Sequence, residues 1–342
     1  MLRTEHGGNP LNIKNVLDFS ANINFLGVPG KVREALILSA DDIDKYPDPY
    51  CIELRKKIAE KTMTGTEKLV CGNGADDLIY RLVSAFRPKR ALVCSPSFSE
   101  YSKALNESGC EVHEFFLVEE NGFEVTADVL LQLTEDTDMF FLCSPNNPTG
   151  RSVCSDVLAA AAEVCGNKDI ILVCDESFAD FTDSNGIMPY MNENVVILRS
   201  MTKSYAIPGA RLGYAVFGSA EKAERVARTG QFWSVSLPAQ RAGEAALDEE
   251  EYLRKTLQCV VEERKFLYGG LVKYVEKVYP SDANFILFKA ENDLDEKFLR
   301  EGILIRSCAN YSGLSEGFFR IAVRSRKENT ILINALRRLR NG

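Results

Sequence analysis

The sequence predicts an α/β fold, with a mostly parallel seven-stranded sheet flanked by helices and a smaller α+β domain after it. The chain has 342 residues, more than the roughly 250 to 300 residues at which a single hydrophobic core usually stops growing. From about residue 68 to 217, short apolar runs alternate with helical stretches, which is typical of parallel strands joined by crossover helices. Beyond about residue 240, longer amphipathic helices replace this alternation. We therefore expect a large domain followed by a smaller one.

The predicted strands of the large domain are apolar, β-branched or aromatic runs bounded by glycine, proline or polar residues. They are Lys68–Cys71, Ala91–Cys94, Glu111–Leu117, Met139–Cys143, Ile170–Cys174, Val195–Leu198 and Gly213–Phe217. After the first of these runs, residues 73–87 carry apolar residues at helical spacing, among them Leu78, Ile79 and Leu82. The pattern predicts a helix that begins immediately after Gly-Asn-Gly at 72–74.

Two changes of pattern suggest the domain boundaries. Residues 1–45 are expected to form an N-terminal arm that belongs to the small domain, residues 46–240 the large domain, and residues 241–342 the small C-terminal α+β domain. A continuous helix near 240–275 should join them, because the sequence contains no flexible linker. The predicted elements of the small domain are the strands Ala283–Phe288, Ile303–Arg306 and Phe318–Val323 and a closing helix from Asn329.

Composition points to a small-molecule substrate. A net charge of −8 opposes the electrostatic attraction that drives non-specific binding to nucleic acids and anionic membranes. The longest apolar runs, such as 170–174, are far too short to cross a bilayer, and the first twenty residues contain no apolar signal segment. The ten cysteines include no C-x-x-C pair, so we expect buried thiols in a cytoplasmic protein without a metal site.

Open parallel sheets bind ligands at the carboxyl ends of their strands, and several predicted strands here end in polar residues. Gly-Asn-Gly-Ala at 72–75 opens a helix whose N–H groups can hold a phosphate, although a plain tight turn has the same sequence. Asn147, within Ser-Pro-Asn-Asn-Pro-Thr-Gly at 144–150, can donate to a phenolate oxygen or form an Asx turn. Asp175 ends an apolar strand, where its carboxylate either caps a helix or needs a cation or several donors.

A fourth strand end carries a lysine. Lys203 and Arg211 are eight residues apart, with hydroxyls at Ser200 and Thr202, which suits an anchored phosphate beside an amine nucleophile. The alternative is a surface lysine, the usual fate of this residue type. Together the four strand ends match pyridoxal 5'-phosphate, which needs an amine, an acid at the pyridine nitrogen, a donor to the ring oxygen and a phosphate cradle.

These motifs, in this order, resemble the fold-type-I superfamily of pyridoxal-phosphate-dependent aminotransferases over nearly the whole chain. The resemblance implies that Lys203 forms the imine with the cofactor, that Asp175 holds the pyridinium proton and that Asn147 contacts the ring oxygen. It implies phosphate contacts from Gly74, Ala75, Ser200, Thr202 and Arg211, ring stacking by Phe98 and, across a homodimer, a phosphate contact from the partner's copy of Tyr46.

Within this superfamily the chain is most similar to the threonine-phosphate decarboxylases of cobalamin biosynthesis, relatives of the histidinol-phosphate aminotransferases. His-Gly-Gly-Asn at 6–9 and Ser-Ala-Asn-Ile-Asn at 20–24 carry this likeness. Phe178 fits it, since amino-transferring relatives commonly have a hydrogen-bonding tyrosine there. Phe25 and Ser236 depart from the branch, where proline and asparagine are usual. The implied reaction converts L-threonine O-3-phosphate to aminopropanol phosphate, with Lys203 or an ordered water returning a proton to Cα.

Arginines supply the expected substrate contacts. Arg320 and Arg324 lie in the last predicted strand at positions that alternation places on one face. The resemblance assigns Arg306 and Arg320 to the substrate's phosphate and carboxylate, and loss of Arg320 should break a buried charge pair; surface ion pairing is the alternative for each arginine. The residues expected around the substrate are His6, Gly8, Asn24, Asn147, Arg306, Arg320 and Arg324.

Two other functions stay open at this point. An aminotransferase acting on histidinol phosphate or a related amino acid would use the same cofactor and form glutamate from 2-oxoglutarate instead of releasing CO2. A transcription regulator that senses pyridoxal phosphate would need an added helix-turn-helix domain. We expect no such domain, because the chain begins close to the predicted cofactor domain.

Overall fold

The computed structural model describes residues 7–8 and 13–341. Its strands are β1 Leu17–Asp18, β2 Leu69–Gly72, β3 Arg90–Ser95, β4 Glu111–Phe116, β5 Met139–Cys143, β6 Ile171–Asp175, β7 Val195–Ser200, β8 Gly213–Phe217, β9 Lys277–Val278, β10 Phe285–Lys289, β11 Ile303–Leu304, β12 Arg306–Ser307 and β13 Phe318–Ala322. Its α-helices are α1 Gly30–Leu38, α2 Ile52–Thr62, α3 Ala75–Phe86, α4 Glu100–Glu107, α5 Ser155–Asn167, α6 Met201–Ser204, α7 Ala220–Ala227, α8 Leu237–Ala246, α9 Glu250–Leu271, α10 Leu294–Arg300 and α11 Arg326–Asn341.

The main sheet has seven strands in the order β2-β8-β7-β6-β5-β3-β4. The five neighbouring strands β4, β3, β5, β6 and β7 pair in parallel. Strand β8 is antiparallel to both of its neighbours. The predicted mostly parallel sheet of seven strands is therefore confirmed. The predicted bounds of β5 and β8 agree residue for residue, and the other five differ by one or two residues at an end.

Both faces of the main sheet are covered, which explains why its central strands are apolar throughout. In β5, Phe140 and Leu142 belong to the core on one face, while Met139 and Phe141 belong to the core on the other. This alternation follows from the two-residue period of a strand. Helix α3 presents the apolar residues of its helical stripe, including Leu78, to the second core, so its existence and position agree with the prediction.

The C-terminal part of the chain contains an antiparallel four-stranded sheet in the order β12-β13-β10-β9. The single strand predicted over 303–306 is wrong, because it is two short strands in different sheets. β11 pairs in parallel with β1, whereas β12 pairs with β13. The chain changes partner at Ile305, which is buried between the two strands. The closing helix begins at Arg326 rather than at Asn329.

The continuous helix predicted near 240–275 is also wrong: α8 ends at Ala246 and α9 begins at Glu250. Acidic residues, Glu250 and Glu251, occupy the first turn of α9, where the positive end of the helix dipole favours them. The proposed domain boundaries stay a prediction. Among the described residues, no helix is both long and apolar enough to span a membrane.

Candidate active site

A cavity of about 670 Å³ lies at the carboxyl ends of β5, β6 and β7. The cavity is lined by polar residues that follow these strands, by the starts of α3 and α4, by the N-terminal arm and by the C-terminal part of the chain. Lys203, Asp175 and Asn147 all line this cavity, together with Gly74, Phe98 and Arg320. The fold thus brings together residues that are distant in the sequence, such as Ser20 and Arg320, which are 300 positions apart.

Lys203 lies in α6, the short helix that follows β7. Its Nζ donates a hydrogen bond to Ser200 Oγ at 2.9 Å, and Ser200 Oγ lies 2.8 Å from Thr202 Oγ1. Burial lowers the pKa of Lys203; nearby Asp175 opposes that shift and Arg211 adds to it. A lower pKa increases the fraction of neutral amine, which is the nucleophilic form of lysine.

The start of α3 forms a cradle with the right chemistry for a phosphate. Gly74 has φ +88°, and a Cβ built on it would lie only 2.7 Å from Arg211 Nη2. Glycine is therefore required both for the backbone conformation and for the close approach of the guanidinium group. The N-terminal N–H groups of α3, beginning at Ala75, add partial positive charge. The hydroxyls of Ser200 and Thr202 line the same cavity.

Asp175 is the last residue of β6, and two donors fix its carboxylate. Tyr101 Oη donates to Oδ2 at 2.6 Å, and the Ser177 N–H donates to Oδ1 at 2.8 Å. Burial raises the pKa of Tyr101, and the Asp175 charge raises it further, so Tyr101 stays a neutral donor. Phe98 lies edge-on to Tyr101 with ring centroids 5.7 Å apart.

Arg320 reaches the cavity from the C-terminal sheet and has only neutral partners in the described part of the chain. Its Nη1 donates to Asn147 Oδ1 and, at 3.4 Å, to Tyr311 Oη; its Nη2 donates to the Ser20 carbonyl at 2.9 Å. The charge partner expected for Arg320 is the substrate's carboxylate, and that assignment stays a prediction. Tyr311 Oη also donates to Asn147 Oδ1 at 3.3 Å, and Asn147 itself lines the cavity.

Arg306 is directly opposite Arg320 across the β12–β13 pair. Its Nη2 donates to Asn310 Oδ1 at 2.7 Å, and its guanidinium carbon lies 5.6 Å from the Tyr311 ring centroid. Burial lowers the pKa of Arg306. Two buried arginines at directly opposed positions repel each other, and of the two only Arg320 lines the cavity.

Arg324 and Asn24 do not line the cavity, although both were expected near the substrate. Arg324 lies beyond the end of β13, and its Nη2 is 2.6 Å from Glu328 Oε1. The Asn24 side chain is buried against Ser204, Tyr252 and Thr256 instead. Both substrate assignments are therefore corrected by contacts that occupy these side chains elsewhere.

The remaining expected residues divide between the cavity and other places. Gly8 lines the cavity and its N–H donates to Ser20 Oγ at 2.9 Å. His6 lies outside the described residues. Tyr46 is 79% exposed and stacks on Trp233 with ring centroids 4.5 Å apart. Phe178 lines the cavity, with its ring centroid 5.5 Å from Lys203 Nζ.

Sequence reasoning missed several residues of the cavity, above all Tyr101, Tyr311 and Ser20. Tyr101 lies three residues after Phe98, in the first turn of α4, so its closeness in the sequence to an expected site residue was the available signal. Tyr311 and Ser20 carried no such signal, because they reach the cavity from loops and their partners are distant in sequence.

The chain is similar to known proteins of one family. The family model described as aminotransferase class I and II matches residues 14–336. A threonine-phosphate decarboxylase of Salmonella typhimurium is 39% identical, and the alignment covers 100% of this chain and 98% of that protein.

Solved structures give the same result for the fold. The crystal structure of a histidinol-phosphate aminotransferase from Clostridium acetobutylicum superposes with a TM-score of 0.90 at 28% identity. That of an L-threonine-O-3-phosphate decarboxylase from Porphyromonas gingivalis superposes with a TM-score of 0.84 at 26% identity. Each match covers 95% of this chain and 99% of the other.

Proposed function

Because this chain belongs to the family of class I and II aminotransferases, we propose that it is a pyridoxal-phosphate enzyme that decarboxylates L-threonine O-3-phosphate. The fold-type-I architecture that the motifs implied is confirmed by the superpositions. The 39% identity to a threonine-phosphate decarboxylase over the full length supports the reaction. A place in cobalamin biosynthesis is supported by the likeness to an adenosylcobalamin biosynthesis bifunctional protein of Leptospira interrogans, which is 34% identical over 97% of this chain and 40% of that protein.

The observation that carries the proposal is the distribution of charge around Lys203. The phosphate cradle of Gly74 and Arg211 lies on one side, the Asp175 carboxylate is fixed by two donors, and Arg320 reaches the same cavity without an acidic partner among the described residues. These groups match the phosphate, the ring nitrogen and a bound carboxylate respectively. The residues present therefore fit the cofactor that the family uses.

When bound, pyridoxal phosphate supplies a conjugated ring that takes up the electron pair of whichever Cα bond stands perpendicular to it. In this chain Asp175 would face the ring nitrogen and Asn147 Nδ2 the ring oxygen. Tyr101 and the Ser177 N–H keep the Asp175 carboxylate oriented. Phe178 offers no hydroxyl to the ring oxygen, which distinguishes the site from those of amino-transferring relatives.

The substrate's acidic groups would bind the paired arginines. We assign the carboxylate to Arg320 and the phosphate to Arg306, because opposed positions on neighbouring strands can hold two anionic groups of one small molecule. These contacts would orient the groups on the substrate's Cα. Breaking the Cα–carboxylate bond would release CO2, and Lys203 Nζ, once protonated, would deliver the proton that replaces the carboxylate.

We also propose a homodimer in which Tyr46 reaches the cofactor phosphate of the partner subunit. Tyr46, Tyr50, Phe232 and Trp233 form an exposed aromatic patch, and exposed apolar patches of this kind mark protein–protein contacts. A cytoplasmic location is proposed as well, since all ten cysteines are free thiols, as expected in a reducing compartment.

Two parallel incubations of the purified, cofactor-loaded enzyme test the function. With L-threonine O-3-phosphate alone we expect CO2 and aminopropanol phosphate. With histidinol phosphate and 2-oxoglutarate we expect no glutamate. If glutamate forms in the second incubation and no CO2 is released in the first, the second candidate function, an aminotransferase, replaces the proposal. That candidate is favoured by the TM-score of 0.90 to a histidinol-phosphate aminotransferase.

A further inference from the structure

Residues 20–24 form a strap between the arginine and the lysine of the site. Three alternate residues of this 20–24 strap make backbone hydrogen bonds to other parts of the chain. The Ser20 carbonyl accepts from Arg320 Nη2 at 2.9 Å, and the Asn22 carbonyl accepts from Asn284 Nδ2 at 3.1 Å. The Asn24 N–H donates to the Lys203 carbonyl at 3.0 Å. The strap therefore connects the C-terminal sheet with the turn that carries Lys203.

The Asn24 side chain is buried, and three hydrogen-bond acceptors surround its amide nitrogen. Its Nδ2 lies 2.8 Å from the Ser204 carbonyl, 2.9 Å from Tyr252 Oη and 2.8 Å from Thr256 Oγ1. Tyr252 Oη donates to the Gly27 carbonyl, so it accepts from Asn24. Asn24 is 3% exposed, and removing its amide would leave buried acceptors without a donor, which is costly.

The two carbonyls that Asn24 binds belong to the last two residues of α6. Terminal carbonyls of a helix have no partner within it, and α6 has only four residues, so it holds its own shape weakly. Asn24 reaches the Lys203 carbonyl through its backbone and the Ser204 carbonyl through its side chain. The Lys203 carbonyl also accepts from the Ala206 N–H at 3.3 Å, and the contacts from the strap add to this local hydrogen bond in holding the end of α6.

We propose that Asn24 is a positioning residue for Lys203, holding the α6 turn so that Lys203 Nζ stays beside Ser200 and Asp175. This inference rests on the proposed function of Lys203 as the cofactor-binding amine. Asn24 does not line the cavity, so its loss should leave substrate binding intact while Lys203 moves. A shift of about 1 Å in a reacting group is enough to cost roughly a hundredfold in rate.

The test compares Asn24→Ala with the wild-type holoenzyme. We expect kcat to fall about tenfold to a hundredfold, with KM for L-threonine O-3-phosphate changed by less than about twofold, because the variant alters orientation rather than uniform binding. The pH midpoint of the visible absorbance of the Lys203-bound cofactor should also move, since the surroundings of Nζ change. If Asn24→Ala does not fold, Asn24→Ser, which keeps a polar but shorter side chain, is measured in the same way.

Thr256→Val is the matched control, because it removes another partner of the Asn24 amide but no contact to α6. It should lower the melting temperature while leaving kcat and the absorbance midpoint at wild-type values. The inference is overturned if Asn24→Ala has a lower melting temperature than the wild type but the same kcat and the same pH midpoint of the cofactor absorbance. Lys203→Ala separates the two claims. If the wild type and Lys203→Ala have the same cofactor absorbance, the proposed function itself fails.

Discussion

Arg320 and Arg324 are four residues apart, yet only Arg320 faces the cavity. Arg320 lies inside β13, where the two-residue alternation fixes the direction of its side chain. Arg324 lies two residues past the end of that strand, so the alternation no longer applies to it. Its guanidinium group binds Glu328 and the Asp18 carbonyl instead. The direction of a side chain can be read from a strand pattern only while the strand continues.

Replacing Arg320 with lysine should raise KM for L-threonine O-3-phosphate by about tenfold or more. Lysine cannot reproduce a planar two-point contact with a carboxylate, and a hydrogen bond to a charged group is worth about 1.5–3 kcal/mol. Steady-state kinetics measures the effect. Arg324→Lys is the matched control and should keep the wild-type KM. An unchanged KM for Arg320→Lys would rule out the proposed contact between Arg320 and the substrate.

At the scale of elements, the start of α11 shows how local signals set a helix boundary. The Ser325 hydroxyl accepts from the Glu328 N–H at 3.4 Å, and the Glu328 carboxylate accepts from the Ser325 N–H at 3.1 Å. This reciprocal pair is a capping box with the spacing Ser-x-x-Glu. The pattern is visible in the sequence and predicts the observed start at Arg326 better than the apolar periodicity did.

Glu328→Gln should lower the free energy of unfolding by up to about 1 kcal/mol at neutral pH, because glutamine can keep the capping box but loses the ion pair with Arg324. The hydrogen bonds from Arg324 and Ser325 hold the pKa of Glu328 below its ordinary value of 4.5, although burial works against them. Its stabilisation is therefore complete above the unfolded-state pKa and is lost as pH falls through the lower folded-state pKa. Urea unfolding at several pH values measures this.

The difference between wild type and Glu328→Gln should accordingly vanish in acid. Glu296→Gln serves as the control, since its carboxylate is 49% exposed and 3.9 Å from Arg300; exposed pairs of this kind contribute little. A Glu328→Gln difference that stays constant down to the lowest pH at which the protein is folded would contradict the assigned contacts.

At the scale of the whole molecule, the exposed aromatic patch bears on whether one chain makes a complete site. Tyr46 lies on the surface and stacks on Trp233. Mixing subunits that carry Tyr46→Ala with subunits that carry Lys203→Ala tests the proposed exchange. Each hybrid dimer would contain one site with both residues intact, so random exchange should restore about a quarter of wild-type activity.

Activity after mixing is measured against each variant alone. Tyr50→Ala mixed with Lys203→Ala is the control, because Tyr50 belongs to the same patch but has no proposed contact with the cofactor. No recovery in the Tyr46→Ala mixture would mean that Tyr46 does not act across subunits. A molecular mass in solution equal to that of one chain would contradict the proposed homodimer.

The sequence by itself determined the seven strands, the helix α3 and the order of the cofactor-binding motifs. Each of these depends on neighbours close in the chain: the period of a strand or helix, and polar residues directly after an apolar run. Because the carboxyl ends of parallel strands meet at one edge of a sheet, the order of these motifs also predicts that Asp175, Asn147 and Lys203 lie together.

Only the tertiary structure decided the contacts between distant segments. Asn24 binds groups 180 and 232 residues away, and Tyr311 meets Asn147 across 164 residues. Local periodicity carries no information about such pairs, because they depend on how the N-terminal arm and the C-terminal sheet pack against the main sheet. That packing turned Asn24 from an expected pocket residue into a support for Lys203, and it added Tyr311 and Ser20 to the site.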